Sequence, residues 1–310
     1  MKRVMTVLGA ISPEDMGITD AHNHVWIEPV PNSSPTSPVL NRRQEILAEL
    51  REYAQAGGRT ILDCQPTGCG RNTNKLVALS RESGVHIIAC TGFHRSIYYS
   101  PDYWLWDAQT NVIANHFISE IQVCTQETIN ADTPVKAGFI KIACEESLQK
   151  TYRPALEAAA ATVIVTGRTI EVHTEKGADA EVIANFFLEH GVKPGQIVLC
   201  HMDKRPDFGL HRAIAQSGLL LEYDTFYRPK YKPEKYLWNL IINMVAAGLE
   251  KQIVLATDMA EATMWSKLGG TPGLANYPRY IRKQLFETGL SVECVNNLMG
   301  GNISRSLAQT

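Results

Sequence analysis

The chain has 310 residues, of which 45% are hydrophobic and 20% are charged, and its formal net charge is −2 at pH 7. This composition is typical of a globular protein with a sizeable core and excludes a largely disordered chain. Because the chain lacks a basic surplus, it has no general attraction to nucleic acid or to an anionic membrane. It also contains no run of 18 apolar residues. We therefore expect a small-molecule partner, with neither a nucleic-acid nor a membrane partner.

Along the chain, short β-rich runs alternate with longer segments of helical spacing, which is the pattern of parallel βα units. A short strand or hairpin is expected in residues 2–10. Strands are then predicted at 18–25, 60–65, 86–91, 138–143, 169–174, 197–201, 218–223 and 253–258. Helices are predicted between them at 42–56, 72–83, 111–127, 148–166, 179–190, 206–216, 233–247 and 278–287. Glycines follow most of these helices, as C-terminal glycines do.

Eight βα units predict a (β/α)8 TIM barrel, an α/β fold that accommodates all of residues 1–310 as a single domain. Residues 292–308 are predicted to pack on the outside as a ninth helix, with a weak spot at Gly300–Gly301. Residues 29–38 form a long proline-rich loop after the first strand, at the end of the barrel where such enzymes carry their chemistry. Seven cysteines without a C-x-x-C pair are interpreted as reduced thiols, which predicts a cytoplasmic location.

Two histidines with a single residue between them, His22 and His24, lie near the end of the first barrel strand. The two-residue period of a strand places both imidazoles on one face, close enough to share an ion. Two polar loop residues are the alternative for this pair alone. His173, His201 and Asp258 end the fifth, sixth and eighth strands. Singly these residues are as readily explained as polar residues of the mouth or as a helix cap, but together they predict a metal centre.

Lys141 lies inside an otherwise apolar strand, where desolvating an ammonium group is costly. One interpretation is a core lysine that reaches a neighbouring carboxylate. The other is a neutral amine that has taken up carbon dioxide to form a carbamate, whose two oxygens bridge two cations. Cys200 is predicted to face away from His201 and is excluded as a ligand.

Imidazole and carboxylate ligands favour zinc, with manganese, cobalt or iron as alternatives. Two such divalent ions acidify a bridging water, and Asp258 is placed to accept its proton and pass it to the leaving group. The predicted reaction is hydrolysis of an ester, lactone, amide or phosphoester.

The chain resembles the phosphotriesterase-like family of the amidohydrolase superfamily over nearly its whole length. The resemblance rests on the segments TVLG at 6–9, DMG at 15–17 and GGN at 300–302 and on six candidate metal ligands. These six are His22, His24, Lys141, His173, His201 and Asp258. It implies a buried ion held by His22, His24 and Asp258, and an exposed ion held by His173 and His201. Carboxylated Lys141 and a hydroxide are implied to bridge the two ions. The resemblance also makes a homodimer a possible assembly.

Within the family the chain looks most like the lactonases that open sugar lactones, on the segments TGFHRSIYY at 91–99, HMDKRPD at 201–207 and KYKPE at 230–234. The expected substrate is a small polar, sugar-derived lactone attacked by the metal-bridging hydroxide. Relatives that use phosphorylated lactones place basic and tyrosine residues in the last two mouth loops. Lys230 and Tyr231 fit that pattern, but the eighth loop has Glu261 where arginine is expected, and a carboxylate repels phosphate. The predicted substrate contacts are His94, Arg95, Tyr98, Lys204, Arg228, Lys230 and Tyr231. A phosphotriesterase or other ester hydrolase is the alternative within this class, and a non-catalytic metal-binding or ligand-binding barrel is the alternative from another class.

Overall fold

A computed structural model describes residues 2–308 and contains one eight-stranded parallel sheet, in which each strand pairs with the next along the chain. An antiparallel hairpin precedes the sheet, as expected for the first residues. The strands are β1 (Val4–Thr6), β2 (Gly9–Ile11), β3 (Ile18–Asn23), β4 (Gly58–Asp63), β5 (His86–Gly92), β6 (Phe139–Cys144), β7 (Ile170–Thr174), β8 (Ile197–Cys200), β9 (Leu220–Tyr223) and β10 (Ile253–Leu255).

Helices follow the barrel strands and form an outer layer. They are α1 (Arg43–Gln55), α2 (Thr73–Ser83), α3 (Thr110–Gln122), α4 (Arg153–Thr166), α5 (Ala180–Glu189), α6 (Phe208–Gln216), α7 (Pro233–Ala246), α8 (Arg282–Glu287), α9 (Val292–Asn296) and α10 (Asn302–Leu307). The sheet is nearly closed, because the backbone amide of Asp258 after β10 donates to the carbonyl oxygen of His22 on β3 at 2.8 Å. The predicted (β/α)8 barrel is confirmed.

Alternate residues of the strands face two different hydrophobic layers. Leu62, Cys64 and Val198 pack inside the barrel, whereas Ile61 and Leu199, next to them in the chain, pack in the layer beneath the helices. This two-residue alternation is why side chains near the ends of different strands converge on a single cavity.

The predicted ninth helix is interrupted at its expected weak spot, because Met299 and Gly300 have non-helical backbone angles. Residues 292–308 form α9 and α10, with the irregular segment Asn297–Gly301 between them. A Cβ atom on Gly300 would lie only 2.2 Å from the carbonyl oxygen of Gly17, so this break lets the chain pack closely against the segment that leads into β3. Two other predicted helices are shorter in the structure, since α3 ends at Gln122 and α4 begins at Arg153. The predicted helix at 278–287 is confirmed, because the π-helix Tyr277–Ile281 continues directly into α8.

Within residues 2–308 no helix is both long and apolar enough to cross a membrane. All seven cysteines are free and buried.

Candidate metal centre

A cavity of about 470 Å³ opens at the carboxyl ends of the barrel strands. Five of the six predicted metal-binding side chains lie in its wall, and Lys141 lies fully buried beneath them. The long loop after β3 contributes to the opening, as its length suggested. The lining residues are His22, His24, Thr36, Pro38, Val39, Gln65, His94, Arg95, Tyr98, His173, His201, Arg228, Asp258, Ala260, Glu261 and Ala262.

His22, His24 and Asp258 form the first of two groups in this cavity. The Oδ1 atom of Asp258 lies 3.8 Å from His22 Nε2 and 3.7 Å from His24 Nε2. One ligand atom from each of the three buried residues lies within 4.8 Å of the others. The structure therefore brings together the three side chains that were expected to share one ion.

His173 and His201 form the second group. Nδ1 of His173 and Nε2 of His201 are 2.7 Å apart, the separation of a hydrogen bond between the two rings. Two nitrogens that share an ion at about 2.0–2.1 Å in tetrahedral geometry would lie about 3.4 Å apart. The two nitrogens are therefore already close to the separation that a shared ion requires, and binding such an ion would increase their distance by a fraction of an ångström.

The prediction that Cys200 faces away from the site is wrong. The thiol of Cys200 points into the barrel, where Lys141 Nζ lies 3.3 Å from its Sγ. His201 reaches the cavity because it follows the end of β8 and takes a left-handed backbone conformation, with φ 64° and ψ 24°. Strand alternation does not extend through such a residue, so two successive side chains can both face the interior.

Lys141 Nζ also lies 3.3 Å from His22 Nε2. Burial lowers the pKa of this amine, but the thiols and carboxylates around it, including Cys200 and Glu171, raise the pKa above its usual value overall. Glu171 has a side-chain oxygen, Oε1, without a hydrogen-bond partner among the described residues. Lys141 thus occupies an acidic interior directly beneath the histidines.

The second ring nitrogen of each histidine faces another polar side chain, and sequence reasoning missed all four of these partners. His22 Nδ1 contacts Glu222 at 2.8 Å, His24 Nδ1 contacts Gln65 at 2.8 Å, and His201 Nδ1 contacts Asp224 at 2.5 Å. His173 Nε2 lies 3.6 Å from Glu175. In His22, His24 and His201 this hydrogen-bond partner fixes the ring so that the other nitrogen is free to bind a metal ion, whereas the distance to Glu175 is too long for a hydrogen bond to His173.

Asp258 has cationic neighbours on the side away from His22 and His24. Its Oδ2 lies 2.9 Å from an Arg228 nitrogen and 3.7 Å from Lys204 Nζ. Although burial raises the pKa of this carboxyl, Arg228 and the other positive charges nearby hold it well below its usual range. The side chain of Asp258 is therefore a carboxylate that faces the histidines with one oxygen and cations with the other.

The predicted substrate contacts divide into two sets. His94, Arg95, Tyr98 and Arg228 line the cavity. Three others lie outside the lining: Lys204 is largely buried beside Asp258, the Tyr231 ring lies 5.7 Å from Lys204 Nζ, and Lys230 is exposed. Glu261 lines the rim, where its Oε1 lies 3.6 Å from Arg228 Nη1.

The donor set fits divalent cations on two grounds. The cavity end of the barrel offers imidazole nitrogens and a carboxylate, the ligands that zinc and similar ions prefer. Burial lowers the pKa of His22 and of His201, and it lowers the pKa of His173 to about 4, so these rings are neutral at pH 7. Neutral imidazole is the form that binds a metal ion.

Comparison with known proteins gives a consistent result. A phospho-furanose lactonase from Mycoplasmopsis synoviae is 31% identical over 99% of this chain and 92% of its own length. An aryldialkylphosphatase from Saccharolobus solfataricus is 26% identical over 90% of this chain and 88% of its own length. The crystal structure of an amidohydrolase from Mycoplasma synoviae superimposes with a TM-score of 0.90 at 29% identity, covering 100% of this chain and 92% of that chain. Residues 2–307 match the model of the phosphotriesterase family, and the chain therefore belongs to this family of hydrolases.

Proposed function

We propose that this chain is a binuclear metal-dependent hydrolase that opens a small polar, sugar-derived lactone. The observation that carries the proposal is the convergence of five metal-binding side chains on one cavity, with Lys141 beneath them. The residues proposed to hold the two ions are His22, His24, Lys141, His173, His201 and Asp258.

The ions are proposed to be zinc, with manganese, cobalt and iron as alternatives that suit the same ligands. When bound, two such ions lower the pKa of a water and polarise the carbonyl oxygen of the substrate. We propose that Lys141 binds them as a carbamate, because an ammonium group 3.3 Å from His22 Nε2 would repel a cation held by that ring. Carbon dioxide is then part of the assembled site.

Asp258 is the proposed acid–base residue. Its Oδ1 faces the histidines, so it is placed to take a proton from the attacking water and to return it to the alkoxide that leaves when the lactone C–O bond breaks. Arg228 holds the other oxygen of the same carboxylate and so fixes its direction. The products are those of adding one water across the ester bond, a hydroxyl and a carboxylate on the same molecule.

The proposed substrate class rests on the size and polarity of the cavity. Its volume of about 470 Å³ is in the range of a site for a single small ligand. His94 and Tyr98 provide polar groups at the wall, as expected for a hydroxylated ring. The relationship to a phospho-furanose lactonase supports a sugar lactone as the substrate.

Whether the lactone carries a phosphate depends on the rim. Arg228, the cation nearest the reacting carboxylate, is paired with both Asp258 and Glu261, so little of its positive charge remains for a substrate phosphate. The exposed carboxylate of Glu261 repels an anion directly. We therefore propose that this chain prefers lactones without phosphate, although one of its relatives is a phospho-furanose lactonase.

The test is a panel of five-membered sugar lactones, each with and without phosphate, together with an aryl dialkyl phosphate. The proposal expects the highest kcat/KM on an unphosphorylated lactone. A Glu261→Gln variant should raise kcat/KM on phosphorylated members and leave the others unchanged. Faster turnover of phosphorylated lactones by the unaltered protein would refute the proposal that Glu261 disfavours phosphate. Turnover of the aryl dialkyl phosphate and of none of the lactones would refute the lactonase proposal and indicate a phosphotriesterase.

A further inference from the structure

We propose that Gln65 is a positioning residue that fixes the tautomer of His24, and that its amide orientation is set by the loop after β4. The proposal rests on the proposed function only for its consequence, which is metal affinity. His24 Nε2 faces Asp258 and the cavity, so it binds a cation only when the ring proton is on Nδ1. A contact that fixes the position of the ring proton therefore affects the ability of His24 to bind a cation through Nε2.

The contact that controls it is the one between His24 Nδ1 and Gln65 Oε1, 2.8 Å apart and buried. A glutamine can present either its oxygen or its NH2 group to a ring nitrogen, and the two choices select opposite tautomers. The carbonyl oxygen directs the ring proton to Nδ1, whereas the NH2 group would direct it to Nε2. The orientation of this amide therefore favours or opposes the tautomer in which His24 Nε2 is free to bind a metal ion.

The loop settles the orientation, because Gln65 Nε2 donates to the carbonyl oxygen of Cys69 and lies 3.2 Å from Cys69 Sγ. A flipped amide would place Gln65 Oε1 against that carbonyl oxygen, two acceptors in a buried site. The Cys69 thiol in turn donates to the carbonyl oxygen of Pro66 at 3.2 Å. The four residues from Pro66 to Cys69 thus form a short turn that accepts a hydrogen bond from the Gln65 NH2 group, while the Gln65 carbonyl oxygen contacts His24 on the other side.

This turn is held rigidly at its far end. The carbonyl oxygen of Gly70 accepts from the amide of Glu28 at 2.8 Å, and a Cβ atom on Gly70 would lie 2.5 Å from the carbonyl oxygen of Glu28. The next residue, Arg71, is fully buried and pairs with Glu120 and Glu127 of the neighbouring segment. The segment therefore cannot shift independently of the barrel, and Gln65 keeps its place against His24.

A neutral amide suits this position better than the carboxylates that face His22 and His201. A carboxylate at position 65 would turn an oxygen towards the carbonyl oxygen of Cys69 and would add a charge near Asp63, a fully buried acid two residues earlier. Burial already raises the pKa of Asp63 to about 7. Glutamine supplies the acceptor for His24 without adding a further buried charge.

The direct test is the tautomer of His24 in the metal-free protein, measured from the ¹⁵N shifts of labelled histidines and assigned with a His24→Gln variant. The proposal expects the proton on Nδ1 in the unaltered chain. A proton on Nε2 would overturn it, whether or not the chain hydrolyses any lactone. This measurement needs neither metal nor substrate, so its failure is distinct from a failure of the proposed function.

The consequence is tested with Gln65→Leu, which has a similar volume but no acceptor, and with Gln126→Leu as a matched control on an exposed glutamine near the same loop. Metal dissociation constants are measured by competition with a chelator. We expect one ion to bind about 10- to 100-fold more weakly in Gln65→Leu and unchanged in Gln126→Leu, because partners of ligating histidines contribute roughly that much. Equal affinity of Gln65→Leu and the unaltered chain for both ions would refute the proposal. If Gln65→Leu does not fold, the tautomer measurement alone decides.

Discussion

Replacing Arg228 by methionine removes the cation that fixes the proposed acid–base residue. The guanidinium donates to Asp258 Oδ2 at 2.9 Å and to the Asp258 carbonyl oxygen at 2.5 Å, and both side chains are little exposed. A hydrogen bond to a charged group contributes about 1.5–3 kcal/mol. Because the bond directs the carboxylate that moves the proton, its loss falls mainly on kcat, which we expect to decrease roughly 10- to 150-fold.

The assay is steady-state hydrolysis of the best lactone from the panel, followed by the acid released, with metal content measured on the same samples. Glu261→Gln is the matched control, since it removes the other carboxylate that contacts Arg228 at 3.6 Å and leaves Asp258 in place. We expect this control to keep kcat on an unphosphorylated lactone within about threefold, as an exposed pair contributes little. A kcat for Arg228→Met within threefold of the unaltered protein, at equal metal content, would refute the positioning role of Arg228.

Two further predictions concern stability. Arg71→Met leaves Glu120 buried without its partner, so the free energy of unfolding, measured in urea, should fall by about 3–5 kcal/mol. The control Arg153→Met removes an exposed ion pair and should change this free energy by less than about 1 kcal/mol. Equal effects of the two substitutions would count against a stabilising buried ion pair. Burial lowers the pKa of His211 to about 4. The unfolded chain therefore binds more protons there, and stability falls by about 3 kcal/mol as pH drops from about 6.5 to about 4. His211→Gln should lose this part of the pH dependence, and an unchanged pH profile would contradict it.

The barrel and the converging residues followed from the sequence because both depend on short periodicities. His22 and His24 lie on a regular strand, where alternation places two such side chains on one face. Alternation also places Cys200 inside the barrel, on the face of Val198, and the exception is His201, whose left-handed conformation turns its side chain back towards the cavity. A single histidine gives no local signal for this conformation.

The partners of the histidines could not be predicted for a different reason. Glu222 contacts His22 across 200 positions of the chain, and Asp224 and Gln65 reach their histidines from just beyond the ends of β9 and β4. Their directions depend on the register and tilt of the closed barrel. One signal was available, because Glu222 interrupts an apolar strand as Lys141 does, and a buried charge implies a buried partner.

The proposed metal centre is tested most directly by the number of metal ions bound per chain, measured on protein reconstituted with zinc in the presence and absence of bicarbonate. We expect about two ions per chain with bicarbonate and a lower content without it, since the proposed binuclear site includes carboxylated Lys141. Lys141→Met should bind fewer ions under both conditions. A content below about one ion per chain with bicarbonate would contradict the binuclear centre.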